Sequence, residues 1–258
     1  MDARLTVVKV TGSTNDDLLE AGKLGAPHGT GLAAREQTSG RGRRGHKWDS
    51  TAGNLLLSIV LRPRVDPAKY SGLAAVSGLA VLEVLKKQGL ANEIDLKWPN
   101  DLVSRGRKLG GILVEAARDN EGKPFAVCGI GVNVNYTPQE VPDGGLAAIG
   151  LSDLNESVPS VDTLLDKAYH TVMDSVDAWA EQLNALADDA GPLAPVRDDY
   201  VAHLNWIGEP VIARSPAGDE LAQGIFKTVD TFGRACIETK DGLQSFHFEE
   251  ASLRPVSE

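Results

Sequence analysis

Cysteine is scarce in this chain of 258 residues: there are two, Cys128 and Cys236. Both lie in apolar, strand-like stretches, FAVCGIGV and GRACIET, with no Cys-x-x-Cys pair and no Cys/His cluster. That spacing argues against a structural zinc site, and the expectation is two small buried hydrophobes. No segment reads as the roughly 18 apolar residues of a membrane span. The N-terminus, MDARLTVVKV, lacks the apolar core and small-residue cleavage site of a signal peptide. The expectation is a soluble cytoplasmic protein with no membrane partner. Positive charge is also short, the net charge being −10. General nucleic-acid binding needs clustered Lys and Arg to neutralise phosphates, so this balance disfavours it. Internal repeats, long low-complexity tracts and a Walker A loop are absent as well.

What is present begins with a strand-like pattern at residues 5–10 and a short helix opened by Ser13-Thr14-Asn15-Asp16-Asp17. Thr14 with Asp17 three places on resembles a capping box. Residues 30–36 and 54–61 read as strands around a Gly/Arg-rich loop. Residues 67–88 carry Leu73, Val76, Ala80 and Val84 at helical spacing, with Pro67 suited to the first turn and Gly89 to the stop. Short strands are predicted at 94–98, 108–117 and 124–135. A second amphipathic helix is predicted at 161–184, with Leu165, Tyr169, Val172, Val176 and Trp179 on one stripe. A Pro/Gly joint at 190–195 leads to a short helix near 196–204. After Trp206 the texture becomes all-β, with Asp241-Gly242 as a hairpin signal.

Four strings could carry chemistry. In Gly40-Arg41-Gly42-Arg43-Arg44-Gly45, between Gln37 and Trp48, glycine amides can approach an anion and planar guanidiniums can bind phosphate or carboxylate. From Arg35 to Lys47 there are five basic residues against one acid, Glu36; a small anionic ligand suits such a local patch better than a long polyanion. A solvated surface turn explains the same composition. Lys97-Trp98-Pro99-Asn100-Asp101 ends a strand in two short polar side chains, able to read a base edge or hold a magnesium ion, or simply to make a turn. Lys108-Leu109-Gly110-Gly111 sets a lysine at a strand's mouth, where it can stabilise charge on a phosphoryl or carboxylate oxygen or be a plain surface lysine. Gly129-Ile130-Gly131-Val132-Asn133-Val134-Asn135 is no dinucleotide fingerprint, and an inward Asn there needs a partner from protein or ligand.

Together, Ser13-Thr14-Asn15, Gln37 with GRGRRG and Trp48, KWPND, KLGGILVE and GIGVNVN resemble the catalytic domain of biotin protein ligases, in that family's order over residues 10–135. The resemblance implies an α+β fold: a mixed-sheet catalytic domain of the biotin/lipoate ligase, class II synthetase-like type over 1–204, and a small SH3-like β-barrel over 205–258. It implies biotin contacts from Ser13, Thr14, Asn15, Gln37, Gly40, Arg41, Gly42, Arg43, Lys108, Gly111 and Gly131, with Gly110 also lining the ligand. It implies ATP or adenylate contacts from Arg41, Arg43, Trp48, Asn100, Lys108 and Asn133, and a magnesium contact from Asp101. Lys108 and Arg43 are the catalytic candidates. ATP and Mg²⁺ are the implied co-substrate and metal, and a biotin carboxyl carrier domain the implied acceptor; a homodimer is left open. The family's longer members begin with a DNA-binding domain of about sixty residues; Ser-Thr-Asn here starts at residue 13, so a monofunctional ligase without specific DNA binding is expected. Many relatives carry Ala-Thr-Ser-Leu where this chain has Leu146-Ala147-Ala148-Ile149. The competing readings are a lipoate–protein ligase and a non-catalytic biotin-binding regulator. The Arg/Gly loop is expected to be poorly ordered without ligand, its arginines repelling one another.

Overall fold

The computed structural model describes residues 4–90, 93–138 and 145–256. Seven strands form a mixed sheet: β1 (Leu5–Thr11), β2 (Gly31–Gln37), β3 (Leu55–Leu61), β4 (Ile94–Lys97), β5 (Asp101–Ser104), β6 (Arg107–Arg118) and β7 (Pro124–Val132). Their order is β1-β2-β3-β7-β6-β5-β4. Only β1 and β2 run parallel, with helix α1 (Thr14–Lys23) between them in the chain; the other pairs are antiparallel.

Strand β3 shows how the layers arise. All seven of its residues are buried, so its sequence is a continuous apolar run broken only by Ser58, as expected for a strand covered on both faces. Leu55, Leu57, Ile59 and Leu61 join the main core, while Val60 packs with Leu18, Phe125 and Val127 under α1. The main core is closed by α2 (Leu73–Lys87) and α3 (Val161–Asn184), which pack on each other and on the sheet. The predicted stripe of α3 is buried throughout. In α2 burial extends nearly all round, including Ala75, Ser77, Gly78, Val81 and Leu82. This corrects the reading that no segment suits a membrane: Pro67–Lys87 has a mean hydropathy of 1.3 over its best window, two thirds of which is buried inside the protein. A helix apolar on every face is what a core helix requires.

Several local expectations shift. The cap of α1 is Ser13, whose side chain accepts from the Asp16 amide at 3.4 Å; Thr14 turns away to Gln37 and Ser58, and Asp17 accepts from Thr11. Residues 67–72 form a 3-10 turn before α2 begins, with Pro67 in its first turn. Strand β5 was not predicted, and β7 stops at Val132, short of Asn135.

Beyond α4 (Arg197–Ala202), strands β8 (Pro210–Arg214), β9 (Glu220–Val229), β10 (Ala235–Thr239), β11 (Gly242–Phe246) and β12 (Ser252–Pro255) pair antiparallel in the order β11-β10-β9-β8-β12. The β10–β11 hairpin turns on Lys240-Asp241, with Gly242 already paired to Thr239. Val211, Phe226 and Ile237 of this sheet belong to the same hydrophobic cluster as the larger one, and Trp98 donates its indole N–H to Gly233 O at 2.9 Å. Both cysteines are buried, Cys128 with its thiol pushed up to about 11 by burial.

Candidate functional site

A cleft of about 1030 Å³ opens on the α1 side of the large sheet. Side chains alternate along a strand, which puts Gly111 and Glu115 of β6, Gly129 and Gly131 of β7, and Leu56 and Ser58 of β3 on that side. The glycines clear room for neighbours: a Cβ on Gly129 would meet Asn15 Oδ1 at 2.2 Å, and one on Gly131 the Trp48 ring at 2.6 Å. Gly110 is one residue out of phase and does not line the cleft; a Cβ there would strike Gly131 O at 2.6 Å.

The cleft gathers Ser13, Thr14, Asn15, Gln37, Gly40, Arg41, Gly42, Arg43, Trp48, Asn100, Asp101, Lys108, Gly111, Gly131 and Asn133, every site residue put forward from the sequence except Gly110. One end is neutral and hydrogen-bonding. Gln37 Oε1 accepts from the Thr14 amide at 2.7 Å and the Thr14 hydroxyl at 2.9 Å. Thr14 touches Ser58 Oγ at 2.7 Å, and Ser58 donates to Asn15 Oδ1 at 2.6 Å.

The other end is cationic. Lys108 Nζ lies 2.7 Å from Asp101 Oδ1 and 5.6 Å from the Trp48 ring centre. Lys97 Nζ lies 3.7 Å from Asp101 Oδ2. Lys97 is buried, and burial pulls its ammonium down to about 8 against the opposing pull of Asp101. Burial alone would raise the Asp101 carboxyl, but Lys108 and Lys97 outweigh it and hold the group below its usual range. Both Asp101 oxygens thus face ammonium groups, an arrangement that does not fit a magnesium ion held by the protein's own carboxylates. Among the described residues no group of three or more His, Cys, Asp or Glu side chains could hold a metal.

The Arg/Gly loop folds as a small hairpin, bridged between Arg41 and Lys47, with Gly42 N donating to His46 O at 2.7 Å and Trp48 N to Gly40 O at 3.0 Å. Its arginines do not face one another unscreened. Arg41 pairs with Asp16 Oδ1 at 2.6 Å and Glu115 Oε2 at 2.8 Å. Arg43 donates to Asn100 Oδ1 and to Phe248 O, each at 3.0 Å, and lies over the Phe248 ring; burial first, then Arg44, lowers its pKa. Arg44, at φ 56°, donates to the carbonyls of Phe248, Glu249 and Ala251. In this structure the loop is closed, with Arg41 on Asp16 and Glu115, and with Arg43 and Arg44 sharing the carbonyl of Phe248.

Asn100 and Asn133 are engaged by the protein itself. Asn100 Nδ2 donates to Ile112 O at 2.6 Å; Asn133 donates to Ile149 O at 3.1 Å and takes a long contact from Asn54 at 3.5 Å. Residues 147–149 run beside Lys108, whose amide donates to Ala147 O and whose carbonyl accepts from Ile149; residues 139–144 of that connection lie outside the described residues. The Trp48 indole N–H is buried with no partner. Residues given no role from sequence also line the cleft, among them Lys97, Leu56, Ala148 and Arg254. Ser58 and Glu115 were missed too, although counting by twos from Leu56 and Gly111 would have found them.

Comparison with known proteins agrees with this geometry. Residues 7–135 match the biotin/lipoate A/B protein ligase family, and residues 206–254 the biotin protein ligase C-terminal domain. The chain is 36% identical over 241 residues to the biotin–[acetyl-CoA-carboxylase] ligase of Mycobacterium tuberculosis, covering 91% of this chain and 83% of that protein. It is 32% identical over 254 residues to the bifunctional ligase/repressor BirA of Escherichia coli, covering 97% and 74% respectively. It is similar to the structure of the Aquifex aeolicus biotin protein ligase in complex with biotin and ATP, with a TM-score of 0.80, 27% identity, and 98% and 99% of the two chains covered. Fold, cleft and relatives define a ligase. The chain belongs to the biotin/lipoate A/B protein ligase family.

Proposed function

We infer that this chain is a biotin protein ligase that forms biotinyl-5′-AMP from biotin and ATP and passes biotin to a lysine of a biotin carboxyl carrier domain. One observation carries the reading: a single cleft joins a neutral floor of Thr14, Asn15 and Gln37, backed by the buried Ser58, to a cationic end of Lys97, Lys108 and Arg43. An uncharged ring with a carboxylate tail suits such a pair of surfaces, the tail arriving where ATP phosphates would also lie. In the first step a carboxylate oxygen of biotin attacks the α-phosphorus, a C(O)–O–P bond forms, and pyrophosphate leaves. In the second the acceptor amine attacks the acyl carbon, loses a proton, and AMP leaves. Lys108 and Arg43 would stabilise the charge on the phosphoryl oxygens, and no covalent enzyme intermediate is needed.

The same reading includes division into a catalytic unit over 1–204 and an SH3-like unit over 205–258, a cytoplasmic location, and no specific DNA binding, the last supported by the net charge of −10. Incubation with labelled biotin, ATP and a carrier domain, with lipoate as the control substrate, tests it. ATP-dependent labelling of the carrier by biotin is expected; preferential use of lipoate, or binding of biotin without turnover, would replace the reading with one of its rivals.

A further inference from the structure

A continuous polar chain runs beneath the cleft and ties both ends of the loop hairpin to its floor. From the distal end, Gln37 Nε2 donates to Ser50 Oγ at 2.7 Å. The chain continues through Gln37 Oε1, Thr14, Ser58 and Asn15. Asn15 Nδ2 then donates to Glu115 Oε2 at 2.9 Å, and the same oxygen accepts from Arg41 at 2.8 Å. Glu115 is the joint at which floor and loop meet.

The proton count in this chain is informative. Three contacts, Thr14 to Gln37 Oε1, Thr14 to Ser58, and Ser58 to Asn15 Oδ1, share only two hydroxyl protons. Neither amide oxygen can supply the third, since both only accept. Gln37 cannot turn over, because its Oε1 also takes the Thr14 amide. Asn15 could turn over and give the floor an N–H, and every contact would then be satisfied internally. An ionised Glu115, which only accepts, forbids it: the Asn15 N–H must face Glu115 and the Asn15 oxygen must face the floor.

Building on the biotin ligase reading, we propose that Glu115 is a positioning residue that fixes the Asn15 amide so that the floor stays one proton short, selecting a ligand head group that brings its own N–H donors, and that couples this floor to the loop through Arg41. A ring that only accepts hydrogen bonds leaves the deficit in place and is refused.

The test measures adenylate formation with the full chain, varying biotin and ATP separately, with no carrier present. Glu115→Leu lets the amide turn over. It should raise the KM for biotin at least about ten-fold, the scale of one charge-assisted hydrogen bond, and leave the KM for ATP within about three-fold. Glu115→Gln loses the charge opposite Arg41, but Arg41 donates to the oxygen that faces Asn15 and so keeps an acceptor, not the new N–H, at that point; it should restore most of the biotin KM. Glu115→Asn, polar but too short to reach, should behave as the Leu variant and serves where that variant does not fold. Adding Asn15→Ala to Glu115→Leu should cost little more than either change alone, because both act through one amide. A parent enzyme that turns over biotin, together with Glu115→Leu at the parent KM or with fully additive changes, overturns the role of Glu115. A parent that forms no biotinyl-adenylate overturns the ligase reading on which it rests.

Discussion

Lys108 and Lys97 flank one carboxylate but differ in how deeply they are buried. Lys108 is a third exposed and paired at 2.7 Å, so it is the cation free to reorient toward a ligand. Lys108→Ala should slow adenylate formation by at least about 10²-fold, the scale for losing a charge-stabilising donor; pyrophosphate release at the parent rate would refute this. Lys97 is buried, with its pKa drawn down to about 8. Between pH 8 and 9 it therefore sheds its proton in the folded protein while the unfolded chain, near its ordinary value, retains it. The unfolded state binds more protons there, so stability should rise with pH by about 1 kcal/mol from this group. Urea unfolding at pH 7.5 and 9 should show the rise, and Lys97→Met should abolish it; parallel curves for the two proteins would count against the buried ammonium. Sequence made Lys108 legible because glycines follow it. It hid Lys97, because a charge next to Trp and Pro carries no sign of how deeply it is buried.

At the scale of elements, the helices and most strands were readable, the four-residue β5 being the exception. α3 was placed to the residue, its stripe being nine residues deep in the core. β5 was missed because Pro99-Asn100-Asp101 satisfies turn chemistry and the strand that follows is only four residues long. The loop hairpin was legible as a ligand-facing loop but not as a closed one, since its partners Asp16, Glu115 and Phe248 lie far away in sequence. Arg43→Gly removes the bonds to Asn100 and Phe248 and adds backbone freedom. Adenylate should still form, more slowly for want of the Arg43 charge, but it should leave at least about ten-fold faster, given the worth of charge-assisted bonds. Labelling of a bystander albumin, read beside the rate of intermediate release, measures this; release at the parent rate would show that the hairpin is not a lid excluding water.

Across the whole molecule, the two sheets share one hydrophobic cluster, and Arg43 and Arg44 of the hairpin reach the carbonyls of Phe248, Glu249 and Ala251 before β12. The change of texture near 205 is visible in the sequence, but not this contact, which spans about 205 residues of sequence. Arg44→Ala should loosen the hairpin without touching the floor. Proteolysis within 41–47 should then speed up several-fold in the ligand-free protein. Unchanged cleavage would mean the second sheet does not hold the loop. The same contact sets an order of events during synthesis. A chain emerging from the ribosome presents its arginines early, yet the carbonyls that hold them, and the cleft-lining Ser252 and Arg254, arrive only at the far end of the second sheet. The cleft is completed and its hairpin anchored by the same late stretch of chain, so competence and containment arrive together in translation.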